Sequence, residues 1–82
     1  MKAIVKVINH KRGMYAAEID GKGEFVVFEL LDSIEPEIGD VILHEDFYSM
    51  GGETYKNLTQ GCEFDVAVEN VCGPNPHLTP PP

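Results

Sequence analysis

An all-β chain folded as a small antiparallel barrel is what the sequence predicts, on three observations. Several short stretches alternate apolar and polar residues with the two-residue period of a half-buried strand. No stretch sustains the 3.6-residue period of a helix, and polar turns carrying glycine separate the strands at regular spacing. Size then favours closure. A chain of 82 residues buries only about 60–65% of the surface its unfolded form exposes, and a closed barrel leaves no strand edge to protect.

Residues 2–9, "KAIVKVIN", interleave β-branched residues with lysines and place Ala3, Val5 and Val7 on one face. "HKRG" turns the chain. "MYAAEID" follows with Tyr15, Ala17 and Ile19 on one side, and "GKGE" supplies two glycines for a tight turn. In "EFVVFELL" the face of Val26, Phe28 and Leu30 is the core side, because Phe25 and Val27 share theirs with Glu29. Pro36 and Gly39 forbid a long regular element in "DSIEPEIGD", after which "VILHE" makes a fourth strand. Gly51-Gly52 suggests a hairpin turn, with "ETYKNLT" as a short strand beyond it. The last strand, "CEFDVAVENV", alternates Phe64, Val66 and Val68 against Asp65, Ala67 and Glu69. One domain over residues 1–72 is therefore expected, with residues 73–82, which hold five of the six prolines, as a disordered proline-rich tail.

Charge is unevenly spread. Five cations against two acids make the first 22 residues +3, whereas from Glu24 onward Lys56 alone faces twelve acids, giving −11 and the net −8. Such a chain repels bulk polyanions, so any nucleic-acid contact must be local and weak. Apolar runs are too short to cross a bilayer, and the N-terminus mixes lysines into its apolar residues; a cytoplasmic protein without a membrane partner is expected. Cys62 and Cys72, without an export signal, read as reduced thiols, and the isolated His77 after them does not complete a zinc set. No metal and no cofactor is expected.

"VKVINHKRGMYAAEI", "EFVVFELL", "EPEIGDVI" and "DVAVENV" together resemble the cold-shock domain, an OB-type barrel that binds single-stranded nucleic acid. The likeness spans roughly residues 2–45 and 64–71, with an insertion-like stretch between. It implies a five-stranded antiparallel OB-type barrel, an SH3-like barrel being the alternative, and a nucleic-acid face on the first three strands. The chain departs from that pattern where bases would stack: the first strand offers Val7 and Ile8, and the second Met14, Tyr15, Ala16 and Ala17.

Two functional readings stay open. One is a module for weak binding of single-stranded RNA or DNA through Lys6, Asn9, Lys11, Arg12, Tyr15, Lys22 and Phe25, gathered as one basic rim backed by aromatics. The other is an acidic module for a protein partner, which Phe47, Tyr48, Met50 and Tyr55 of "FYSMGGETY" would meet if that loop faces solvent; folded back, the loop is a lid over the barrel end. Catalysis is not expected. "HED" at residues 44–46 spreads its side chains over both strand faces, and the turn glycines lack the strand–loop–helix setting of a phosphate cradle.

Overall fold

Strands form where the alternation is clearest, and the computed structural model describes residues 1–73. They are β1 (Lys2–Asn9), β2 (Met14–Ile19), β3 (Glu24–Leu30), β4 (Val41–Leu43), β5 (Gly51–Asn57) and β6 (Cys62–Cys72). Hydrogen bonding closes them in the order β1-β2-β3-β6-β5-β4, and every neighbouring pair is antiparallel. The result is a small barrel of a kind consistent with the OB type, with the six strands of the residue pattern where the resemblance implies five. The hairpin turn expected at Gly51-Gly52 is instead the start of β5, with Gly51 at φ 83°. The expected proline-rich tail falls on residues 74–82, outside the described residues.

Parity along the strands selects the core. Tyr15, Ala17 and Ile19 of β2, Val26 and Phe28 of β3, and Phe64, Val66 and Val68 of β6 all point inward and are buried. In β1 the expected face holds only for Ala3 and Val5. A bulge between Val5 and Val7 shifts the register against β2, and Val7 turns out to solvent. Inside, Phe28 organises the aromatic residues: Tyr15 stacks on it with centroids 5.5 Å apart, and Tyr55 meets its edge at 5.2 Å.

Antiparallel order assigns the connections to the two barrel ends. The β1–β2 turn, the crossover loop of residues 31–40 and the β5–β6 turn share one end; the N-terminus, the β2–β3 turn and the β4–β5 loop share the other. In the β2–β3 turn Asp20 takes φ 51°, a conformation aspartate adopts more readily than most residues, and it is held across to β1, where Oδ1 accepts the Lys2 amide at 3.2 Å. The crossover loop is pinned by two buried residues, Pro36 and Asp40. Asp40 Oδ2 accepts the Glu37 amide at 2.9 Å, Asn57 Nδ2 at 2.8 Å and Gln60 Nε2 at 2.7 Å. The backbone joins in, because Val5 N donates to Asp40 O and Gly39 N to Val5 O. One carboxylate therefore ties the loop to the β5–β6 turn while its neighbours continue the sheet beside β1.

Burial pushes the Asp40 carboxyl up, but the hydrogen bonds from Asn57, the Glu37 amide and Gln60 outweigh it and hold the group below the ordinary aspartate value. A carboxylate whose pKa is lowered by folding contributes stability above its unfolded value of about 3.9, and that contribution disappears as pH falls through the folded value. Asp40→Asn is expected to lose about 1–3 kcal/mol at neutral pH, because an amide turns a second donor toward Asn57 and Gln60. Urea unfolding of both proteins from neutral pH into the acid range checks this. The gap should narrow below about pH 4; a gap independent of pH would contradict the role given to the carboxylate.

Candidate interaction surface

The residues expected to form one basic rim are dispersed by the barrel. Tyr15 is corrected outright: at 2% exposure it is a core residue, on the same inward parity as Ala17 and Ile19, and cannot stack on a base. Lys22 sits in the β2–β3 turn, at the barrel end opposite Lys11 and Arg12. With a rise of about 3.3 Å per residue along β2, the two groups stand roughly 20–25 Å apart. Lys6 lies 4.0 Å from Glu18, whose other oxygen accepts the Gly23 amide at 3.0 Å. Asn9 serves its own turn, accepting from the Arg12 amide through both its backbone carbonyl at 3.3 Å and Oδ1 at 3.4 Å. Phe25 does face outward, half-buried, with Glu18 as its cross-strand neighbour. Lys6, Asn9 and Lys22 are exposed too, but only Lys11 and Arg12 stand together as cations, and the one outward aromatic is hemmed by an acid.

The second predicted surface divides in the same way. Phe47 and Tyr55 are fully buried, so the expectation that they meet a partner is overturned. The β4–β5 loop folds back, and Phe47 plugs the barrel end against Tyr55, with centroids 5.2 Å apart. His44 holds the plug in place. Its Nδ1 is 3.0 Å from both the amide nitrogen and the carbonyl oxygen of Asp46, and its Nε2 is 3.0 Å from Glu53 Oε1. Ser49 Oγ donates to the other Glu53 oxygen at 3.0 Å, and the Tyr48 hydroxyl donates to Glu24 Oε1 at 2.7 Å. His44 and Asp46 of "HED" thus brace the loop, while Glu45 is exposed. Only Tyr48 and Met50 of the predicted set reach solvent.

The largest aliphatic exposure lies at the other end, in the crossover loop. Leu31, Ile34 and Ile38 are 57%, 43% and 60% exposed, while Pro36 and Asp40 between and beside them are buried. The loop therefore does not bury its aliphatics because its anchors already fix its path. Exposed Asp32, Glu35 and Glu37 alternate with them, and Leu58 of the β5–β6 turn adds a further exposed aliphatic at the same end. Sequence reading missed this surface, although "LDSIEPEI" shows the signal: aliphatics in a stretch too broken by proline for any element to use them. Among the described residues no cluster of three or more His, Cys, Asp or Glu side chains is placed to hold a metal.

Tyr15 and Tyr55 carry buried hydroxyls without a hydrogen-bond partner among the described residues. Burial first, then Glu53 and Asp46, push the Tyr55 phenol far above its ordinary value. Tyr55→Phe is accordingly expected to be neutral or to stabilise by up to about 1 kcal/mol; a clear loss in chemical denaturation would reveal a partner for that hydroxyl. Phe47→Ala should cost about 3–4 kcal/mol by opening the plugged end, while Met50→Ala should stay within about 0.5 kcal/mol. Equal effects in the same assay would show that Phe47 closes nothing. No family model matches the chain, and neither a curated protein nor a solved structure matches it.

Proposed function

We propose that this chain is a non-catalytic OB-type binding module of the cytoplasm that engages a protein partner through the barrel end capped by residues 31–40. The observation that carries this reading is the exposure of Leu31, Ile34 and Ile38 on a loop whose anchors are buried and hydrogen-bonded. Fully burying an aliphatic of this size is worth about 1.5–3 kcal/mol, so covering the exposed part of each contributes roughly half of that. A loop held rigid loses little further entropy when it binds. The alternating acids supply a polar rim that keeps wrong partners off and sets orientation.

Weak binding of single-stranded nucleic acid is the second reading, and it rests on Lys11 and Arg12, which enter no ion pair among the described residues. It is the weaker of the two. Stacking contributes about 1–3 kcal/mol per base where aromatics are available, and Phe25 alone is left for that on the outer face of β1–β3. The net charge of −8 opposes a polyanion.

The two readings separate in one amide-shift titration of the labelled chain, using an amphipathic leucine–lysine peptide and a single-stranded oligonucleotide as probes. The peptide should move the amides of residues 31–40 saturably, with modest salt dependence. Shifts produced by the oligonucleotide alone, confined to residues 6–28 and lost as salt rises, would overturn the protein-partner reading in favour of the other.

A further inference from the structure

We propose that the occupant of the capped end is a second copy of this chain, docked across a twofold axis. The inference rests on the reading of that end as a protein-docking surface, and the arrangement of its charges singles out the partner. Glu35 and Glu37 stand exposed on the crossover loop, and Lys11 and Arg12 stand exposed on the β1–β2 turn at the same barrel end. The turn and the loop are neighbours: His10 Nδ1 is 4.0 Å from Glu35 Oε1, and Leu30 N donates to Gly13 O at 2.9 Å. Ile34 and Ile38 belong to the same end. An end that carries exposed aliphatics interleaved with acids on the loop, beside a turn that carries cations, is self-complementary. A twofold rotation sets the basic turn of each copy against the acidic loop of the other. A partner of one charge sign can answer only one of these two groups, whereas a second copy answers both.

The fold buries none of these four side chains, and of the four only Glu35 has a side-chain charge partner, His10, among the described residues. Glu37 uses its backbone amide, not its carboxylate, to bind Asp40, and Glu35 uses its backbone carbonyl to accept from Gln60. The net charge of −8 on each copy opposes association at long range. At physiological ionic strength that repulsion is screened beyond about 8 Å, whereas charges brought into contact are not.

Sedimentation velocity of the full chain, at physiological salt and from micromolar to near-millimolar protein, tests the proposal. A monomer–dimer equilibrium is expected. K11E/R12E and E35K/E37K should each weaken it by at least about tenfold, since every cross-pair becomes repulsive. Mixing the two variants in equal amounts should restore pairing, because an all-acidic end then faces an all-basic one, and that recovery also shows that both variants fold. Three results would overturn the proposal: a monomer at every concentration, variants that pair like the parent, or a mixture no tighter than either variant alone. If the chain stays monomeric while residues 31–40 still respond to the leucine–lysine peptide, the second copy falls and the docking surface stands. If neither response is seen, both fall.

Discussion

Three hydrogen bonds converging on Asp40 Oδ2 govern how the barrel closes. The chain must pass from the end of β3 over the barrel mouth and enter the sheet again beside β1, and β4 has only the three residues Val41–Leu43 with which to join β1 to β5. So short a strand cannot choose its own register. Asp40 chooses it, because a carboxylate buried beside Asn57 and Gln60 fixes the residue that precedes the strand. Ile42 then falls inward and Val41 and Leu43 outward. An uncompensated buried charge would be costly, so the same three donors that set the geometry also make the charge tolerable.

Much of this was legible in the residue pattern, and what was not has identifiable causes. Alternation alone placed Tyr15 with Ala17 and Ile19, Val26 with Phe28, and Phe64 with Val66 and Val68, and each of these sits in the core. The parity of Tyr15 in fact already opposed its use as a stacking platform. Alternation cannot announce a bulge, which is why Val7 left the face of Ala3 and Val5. It is equally silent about loops, so it left "FYSMGGETY" open between an exposed surface and a lid, and only the structure shows Phe47 filling the barrel end. Nor does it report which turns share an end. Lys22 and Arg12 are close in the sequence, but a full strand of barrel wall lies between them.

The two ends illustrate different solutions to the same problem. At one, the chain uses a loop phenylalanine, Phe47, as a stopper and clasps the loop with His44, Glu53 and Ser49. At the other, a proline and a carboxylate hold the covering loop, and its aliphatics are left facing water. Interleaved acids keep that surface from indiscriminate association, and the closed sheet offers no long edge along which copies can stack.

The longest strand also carries a built-in measuring stick. β6 runs eleven residues from Cys62 to Cys72, and neither thiol is in a disulfide. Ten steps of strand separate them by roughly 33 Å, far beyond the reach of a disulfide, which needs Cα atoms within about 7 Å. Within one molecule, oxidation therefore cannot join the two thiols. Kept reduced, the same pair accepts two spectroscopic labels at a spacing that only the intact strand maintains.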